Sequence, residues 1–135
     1  HVDGAPLDFR FSGLKTAVLN LLNNAKQKGE QVSVPDLCAS YRKAVVDCLI
    51  HNLFKAAEET GARRIALAGG VSANRLLRRR AQAVCKEKGL PLYLPDLSLC
   101  GDNAAMIASQ GYYEFLAGNV AGMDLNACAQ RSIEE

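Results

Sequence analysis

A glycine-rich turn is the first feature of the sequence whose residue types could do chemistry. Residues 68–74 read AGGVSAN and join a short apolar run to a segment with helical spacing. Glycines at such a junction let a ligand approach the backbone, and the first N–H groups of the following helix favour phosphate or polar ligand atoms. Gly69, Gly70 and Asn74 are therefore candidates for binding a nucleotide. The structural alternative is a tight turn with Ser72 as the helix cap, and the spacing alone does not decide between the two.

A single carboxylate, Asp102, follows a strand candidate and a loop in the segment CGDNAAMIA. An oxygen donor at the end of an α/β strand faces the crevice where such folds bind ligands, which makes Asp102 a candidate metal ligand. Its structural alternative is a helix N-cap. The histidines are poor partners, because His1 is terminal and His51 lies inside a long predicted helix without a second histidine on the next turn. We interpret His51 as a surface or structural residue.

Basic residues surround the glycine turn. They are Arg63, Arg64, Arg75, Arg78, Arg79, Arg80, Lys86 and Lys88. A solvated helix face is the favoured interpretation, and a phosphate-binding stripe is the alternative. The formal net charge of +2 is too small to indicate nucleic-acid binding by itself.

The elements that position these residues follow from the apolar spacing. Residues 13–28 have apolar side chains at helical intervals after Ser12, a candidate cap. The longest predicted helix begins after Ser33, contains a proline in its first turn and ends near Gly61. Its predicted apolar face consists of Leu37, Tyr41, Ala44, Val45, Cys48, Leu49 and Leu53.

The second half of the chain alternates strands and helices. A strand at residues 65–68, the glycine turn, a helix and the strand PLYLP precede a last helix that begins near Asp102. This order predicts an α/β domain with a parallel strand pair and a right-handed crossover. Two strands are few for such a domain, so we expect further strands before His1. Residues 118–135 have weak periodicity and are predicted to form an irregular tail of this single domain.

The composition indicates a cytoplasmic globular domain. Of the 135 residues, 49% are hydrophobic, which suffices for a core. The five cysteines are odd in number and form no C-x-x-C pair, so they match neither a disulfide framework nor a zinc knuckle. No apolar run reaches the ~20 residues that cross a bilayer, and we expect no membrane partner.

Three segments together resemble one protein family. They read DFRFSGLKTAV at residues 8–18, GGVSANRLLR at residues 69–78 and CGDNAAMIA at residues 100–108. In this order and spacing they resemble the C-terminal lobe of the TsaD family, the tRNA N6-adenosine threonylcarbamoyltransferases formerly called glycoproteases. The similarity extends to about residue 118. The resemblance implies the helix-rich part of one lobe of the two-lobed actin, sugar-kinase and Hsp70 type of fold.

The resemblance also implies a reaction. The family transfers a threonylcarbamoyl group from threonylcarbamoyl-AMP to N6 of the adenosine 3′ of the anticodon in tRNAs reading codons that start with A. By the matching motifs, Asn74 with Gly69 and Gly70 resembles the adenylate contact, and Asp102 resembles a carboxylate ligand of one iron or zinc ion. The other metal ligands and the phosphate loop belong to the N-terminal lobe, upstream of His1. The chain alone is therefore expected to be inactive and to bind metal poorly.

Other proteins of the threonylcarbamoyladenosine pathway, similar to TsaB and TsaE, are the implied partners, beside tRNA. Self-association of the chain is expected where the other lobe would pack. The sequence departs from the family at Arg10, where a small residue is usual, and at Gly101, where Thr or Ser usually precedes Asp102. No residue is a convincing general base.

Two other functions remain open. The chain could be a non-catalytic nucleotide-binding or interaction module that kept the lobe and lost the chemistry. A metallopeptidase is less favoured, because the sequence contains no H-E-x-x-H motif.

Overall fold

The computed structural model describes residues 7–9, 11–127 and 129. The chain divides into two compact units, the first ending at Cys100 and the second beginning at Gly101. Four α-helices and two strands lie in the described residues: α1 Phe11–Lys28, α2 Val34–Thr60, β1 Ile65–Ala66, α3 Arg75–Lys88, β2 Leu92–Tyr93 and α4 Ala104–Leu116. Short 3-10 turns span Gly70–Ala73 and Leu97–Leu99. The architecture is a helix-rich α/β arrangement, as predicted.

Helix α1 begins earlier than the sequence predicts. Its first residue is Phe11, whose ring stacks on Phe9 with centroids 5.6 Å apart. Ser12 therefore lies inside the first turn, where its carbonyl accepts a hydrogen bond from Thr16 Oγ1 at 3.1 Å. The prediction of Ser12 as a cap was wrong, because a residue with helical conformation cannot be the extended N-cap.

Both predicted ends of α2 are confirmed. Ser33 Oγ accepts a hydrogen bond from the Asp36 N–H at 3.5 Å, and Gly61 ends the helix in the left-handed conformation at φ 68°. A left-handed C-terminal residue is favourable only for glycine and a few others, which explains the position of the stop.

The buried face of α2 differs from the predicted one by about one position. Its buried residues are Val46, Ile50, Phe54 and Ala57. The predicted stripe from Leu37 to Leu53 lies beside them, and its members are half-buried or exposed. The helix is apolar on more than one side, so spacing alone allows two neighbouring faces, and packing against α3 selects one of them.

The two strands form a parallel pair, as predicted. Ile65 pairs with Leu92 and Ala66 pairs with Tyr93, and α3 connects the strands. The Leu67 N–H still donates to the Tyr93 carbonyl at 3.1 Å. The first strand is shorter than the predicted 65–68 and ends at Ala66, since Pro95 has no N–H with which to continue the ladder beyond Tyr93.

The core of the first unit lies between α2, α3 and β1. Val46 and Phe54 of α2 meet Ile65 of β1 and Leu77 and Ala81 of α3, and Ala81 is fully buried. Helix α3 thus attaches the strand pair to the longest helix. This packing fixes the start of α3, where the glycine turn ends.

Exposed ion pairs flank the packing of α3 on α2. Arg80 Nη2 lies 2.9 Å from Asp47 Oδ1, and Lys88 Nζ lies 2.6 Å from Glu58 Oε1. The Lys43 hydrogen bond, with the positive charges of Lys43 and Arg80, lowers the pKa of Asp47 below 3.8. The hydrogen bond and charge of Lys88 lower the pKa of Glu58 below 4.5.

We expect these ion pairs to make the free energy of unfolding of the chain decrease at low pH. A carboxyl whose pKa is lowered by folding stabilises the fold above its unfolded pKa, and the contribution is lost as the pH falls through the folded pKa. Urea unfolding from about pH 6 down to about pH 2 should therefore show that the wild type loses more free energy of unfolding on acidification than the Asp47→Asn, Glu58→Gln double variant. Parallel curves for the two proteins would contradict this expectation.

The second unit contains α4 and, after it, a segment without helix or strand in its described residues. None of the residues of α4 is buried, and residues 119–127 contain no helix or strand. The described cysteines Cys38, Cys48, Cys85 and Cys100 are all free thiols. Burial raises the pKa of the Cys85 thiol. None of the helices in the part of the chain that the structure describes combines the length and apolar character needed to cross a membrane.

Candidate nucleotide-binding turn and metal-ligand carboxylate

The glycine turn begins directly after β1. Gly69 has φ 79° and ψ 172°, a backbone region that is open essentially to glycine alone. Gly70 does not have a positive φ, and a Cβ built on it would meet no heavy atom within 4 Å. Backbone strain thus explains the first glycine, whereas no contact within the described chain requires the second. A glycine without an internal reason is compatible with close approach of a ligand.

Asn74 is the N-cap of α3. Its Oδ1 accepts hydrogen bonds from the N–H groups of Leu76 at 3.0 Å and Leu77 at 3.2 Å. Ser72 is buried, and its hydroxyl donates to the Gly69 carbonyl at 2.6 Å. The alternative of Ser72 as the cap is therefore wrong. The Ser72 side chain occupies the interior of the 3-10 turn. The residue that caps α3 is Asn74, whose backbone is extended at φ −63° and ψ 115°.

This capping changes what the turn offers a ligand. Two of the first N–H groups of α3 are already bonded to Asn74 Oδ1 and are not open to an anion. The hydrogen bonds among the described residues do not involve Asn74 Nδ2. The half-buried Asn74 thus presents an amide donor while its oxygen holds the helix.

Two clefts border the turn on its α2 side. The larger has a volume of about 390 Å³ and is mostly apolar, with Val71 and Ser72 on one wall. The smaller, of about 190 Å³, is lined by Val71 and Asn74 together with Tyr41 and Arg42 of α2. Val71 itself is 65% exposed and lies on the rim of both. The turn therefore has room beside it for a ligand of modest size.

The residues of α2 beside the turn were not predicted as site residues. Tyr41 was placed on a core face, and Arg42 was not singled out. They precede the turn by roughly 30 residues, and no local pattern connects segments at that separation, because the contact depends on the packing of α2 against α3.

The basic residues near the turn divide into two groups. Arg80 and Lys88 pair with carboxylates of α2, and Arg78 donates to backbone carbonyls. The ion pairs of the described residues do not include the others, which are exposed: Arg63, Arg64, Arg75, Arg79 and Lys86. The arrangement favours the solvated-face interpretation over a continuous phosphate-binding stripe, because its central members are engaged within the fold.

Asp102 does not cap α4. The N-cap is Asn103, whose Oδ1 accepts from the Met106 N–H at 2.8 Å and whose Nδ2 donates to the Gly101 carbonyl at 3.1 Å. The alternative of Asp102 as a cap is thus wrong, because the extended backbone belongs to the next residue, at φ −150° and ψ 147°. Asp102 is exposed, and the hydrogen bonds and ion pairs of the described residues do not include its carboxylate.

The free carboxylate suits metal ligation as one donor among several. Carboxylate oxygen is an accepted ligand of both iron and zinc. Within residues 7–9, 11–127 and 129, however, no three ligand-type side chains lie close enough to hold an ion. His51 is exposed on α2, consistent with a surface histidine. Asp102 could therefore contribute to a metal site only together with ligands from elsewhere.

The chain matches a family model described as "TsaD: tRNA N6-adenosine threonylcarbamoyltransferase" over residues 2–109. A relative of that name from Clostridium botulinum (strain 657 / Type Ba4) is 45% identical over 96% of this chain and 38% of its own length. Relatives of the same name from Desulfitobacterium hafniense (strain Y51) and Halalkalibacterium halodurans are 48% identical over 90% and 94% of the chain, and over 36% of their own lengths. The chain thus spans less than two fifths of the relatives it matches. It belongs to the TsaD family of tRNA N6-adenosine threonylcarbamoyltransferases.

Proposed function

We propose that this chain is part of a cytoplasmic transferase that moves a threonylcarbamoyl group from threonylcarbamoyl-AMP to tRNA. The acceptor is N6 of the adenosine 3′ of the anticodon in tRNAs reading codons that start with A. The family match over residues 2–109 carries this proposal, since it includes both the glycine turn and Asp102. The parallel strand pair joined by α3 is compatible with one lobe of an actin-like fold. Proteins similar to TsaB and TsaE are the proposed partners.

The glycine turn is proposed to bind the adenylate half of the substrate. The absence of a side chain at Gly70 allows a phosphate or ribose to approach the backbone. Asn74 Nδ2 is free to donate to the ligand, because its oxygen is the atom that caps α3. Gly69 gives the turn its shape through its positive φ, which only glycine adopts readily at this ψ. Together these residues orient the leaving group rather than react with it.

Asp102 is proposed as one ligand of an iron or zinc ion whose other protein ligands come from the rest of a longer protein. Such an ion would supply Lewis-acid polarisation of the activated carbamoyl group. The contribution of this chain is an exposed carboxylate without an internal partner. Gly101 has no side chain that could orient this carboxylate, so its direction depends on the backbone and on the neighbouring parts of the protein.

The proposed reaction is an acyl transfer. The N6 amine of adenosine attacks the carbamoyl carbon, a C–N bond forms, and the bond from that carbon to the phosphate oxygen breaks. AMP leaves with the electron pair, and N6 loses one proton. We assign no residue of this chain as the base. Its own residues bind and orient the adenylate, so that the carbamoyl carbon is held for attack.

A chimera tests the proposed function. In it, this chain replaces the matching segment of the Clostridium botulinum relative. The purified protein is incubated with threonylcarbamoyl-AMP, tRNA and its partner proteins, and the modified nucleoside is measured by mass spectrometry. We expect transfer at a rate within about tenfold of the unaltered relative, because the chain supplies the matching segment of the enzyme. A folded chimera that transfers nothing, beside an active relative, would contradict the proposal.

Asn74 allows its two roles to be separated. Asn74→Asp keeps the oxygen that caps α3 but removes the amide donor, so the chain should stay stable while adenylate affinity falls by about 1–3 kcal/mol. Asn74→Ala removes both and should cost about 0.5–2 kcal/mol of stability as well. Calorimetric titration of the chimera with AMP and urea unfolding of the chain measure the two effects. Unchanged affinity in Asn74→Asp would show that the amide does not face the ligand.

A further inference from the structure

Arg78 connects three segments of the first unit. It lies in the first turn of α3, and its Nε donates to the Ser72 carbonyl of the glycine turn at 2.9 Å. Its Nη2 donates to the carbonyl of Pro95, which follows β2. Its backbone N–H donates to the Asn74 carbonyl at 3.0 Å. One residue therefore bonds to the turn twice and joins it to the chain beyond the second strand.

The guanidinium has no carboxylate partner in the part of the chain that the structure describes. The ion pairs found there use Lys43, Lys55, Arg80 and Lys88. Arg78 is half-buried, whereas the next residue, Arg79, is exposed. A half-buried cation bonded to two carbonyls is held by geometry rather than by an opposite charge. Its role therefore depends on the two segments that carry these carbonyls, the glycine turn and the segment after β2.

The first carbonyl belongs to the middle of the 3-10 turn. Ser72 is buried, and its hydroxyl and N–H both bond to the Gly69 carbonyl, at 2.6 Å and 3.0 Å. A further backbone bond, from the Asn74 N–H to the Val71 carbonyl at 3.0 Å, closes the end of the turn, and all of these bonds lie within residues 69–74. Arg78 supplies the outside bond to Ser72, and through Pro95 it fixes the turn to the segment after β2.

We propose that Arg78 is a positioning residue for the adenylate-binding turn. Its bonds fix the position of the turn relative to the strand pair, and thereby the positions of Gly70 and of the Asn74 amide. This inference rests on the proposed function, and it adds a residue that does not itself touch the substrate. The planar fork of a guanidinium reaches two carbonyls at fixed geometry, whereas a lysine ammonium carries its three donors on one nitrogen at the end of a flexible stem.

The kinetic test compares three variants of the chimera: Arg78→Gln, Arg78→Lys and Arg79→Gln. The last removes the same charge from the neighbouring exposed residue and is the matched control. We expect Arg78→Gln to raise the KM for threonylcarbamoyl-AMP about tenfold, with the KM for tRNA unchanged, because a displaced turn loses contacts to the adenylate only. Arg78→Lys should recover part of that loss, and Arg79→Gln should behave as the wild type.

A second measurement does not depend on the reaction. Hydrogen exchange of the chain should show faster exchange of the Asn74 and Leu77 amides in Arg78→Gln, while the amides of Ile50 and Phe54 in the core of α2 are unaffected. Uniformly faster exchange would mean a general loss of stability and would overturn the positioning role. Unchanged exchange at the turn would overturn it as well.

The kinetic outcomes separate this inference from the proposed function. If the wild-type chimera transfers and Arg78→Gln leaves the KM for the adenylate unchanged, only the inference fails. If the KM for tRNA rises instead, Arg78 contacts RNA and is not a positioning residue. A folded wild-type chimera without transfer contradicts the proposed function, and the exchange experiment then still decides whether Arg78 holds the turn.

Discussion

Asp102→Ala in the chimera is expected to remove the bound metal and to lower transfer to tRNA by about a hundredfold or more, because it deletes a carboxylate ligand and the Lewis-acid polarisation that depends on it. The variant should fold as well as the wild type. The carboxylate of Asp102 is exposed and takes no part in the hydrogen bonds and ion pairs of the described residues. Elemental analysis, transfer assays and urea unfolding of the same preparations measure the three quantities.

Asn103→Ala is the matched control for this prediction. Asn103 caps α4 through its bond to the Met106 N–H, so its loss should cost about 0.5–2 kcal/mol of stability. Because Asn103 Nδ2 also bonds to the Gly101 carbonyl beside Asp102, metal content and transfer should fall only in part, whereas Asp102→Ala should lose both. The two neighbouring substitutions thus predict different patterns of stability and activity. Full metal occupancy and activity in Asp102→Ala would contradict the metal-ligand role. A large loss of stability in that variant would show that Asp102 has a structural role instead.

Gly70→Ala is expected to weaken binding of the adenylate by about tenfold to a hundredfold, because a methyl group would occupy the space through which the ligand approaches the backbone. The substitution should hardly change the stability of the chain. A Cβ at Gly70 meets no heavy atom within 4 Å, and its φ is not positive. Isothermal titration with AMP measures the affinity, and thermal unfolding measures the stability.

Gly69→Ala supplies the contrast within the same turn. Gly69 has a φ of 79° and a ψ of 172°, so a side chain there should cost on the order of 1–3 kcal/mol through backbone strain. A loss of AMP affinity in Gly69→Ala is accordingly expected to accompany a loss of stability. Equal affinity of Gly70→Ala and the wild type for AMP would indicate that the ligand does not approach this part of the backbone.

Much of the architecture could be predicted from local patterns. The parallel strand pair joined by a helix followed from the alternation of apolar runs with helical spacing, and the structure confirms it. The ends of α2 were predicted correctly, because Ser33 and Gly61 are strong capping residues and no competing cap lies next to either of them. The fold class therefore rests on features that each segment carries by itself.

The helix starts were predicted less well, and the reason is physical. Asp102 and Asn103 are adjacent and both are good caps, as are Ser72 and Asn74 two residues apart. The choice depends on which residue has an extended backbone while its neighbour enters the helix, and in both cases this is the asparagine. At α3 this choice follows from the packing of the helix against α2, which local sequence does not specify.

The surroundings of the candidate site could not be predicted either. Arg78 bonds to Ser72, which precedes α3 in the sequence, and to Pro95, which follows β2. The sequence placed Arg78 in a basic cluster with a solvated face as the favoured explanation. Only the three-dimensional return of the chain after β2 brings the Pro95 carbonyl to the guanidinium.

A crystal structure of the chimera with AMP would show directly where the adenylate binds. We expect the nucleotide at the glycine turn, with no side chain between it and Gly70 and with Asn74 Nδ2 about 3 Å from an acceptor atom of the ligand. Asn74 Oδ1 should still cap α3 in the complex. AMP bound elsewhere, with Asn74 Nδ2 facing solvent, would contradict the assignment of this turn as the adenylate site.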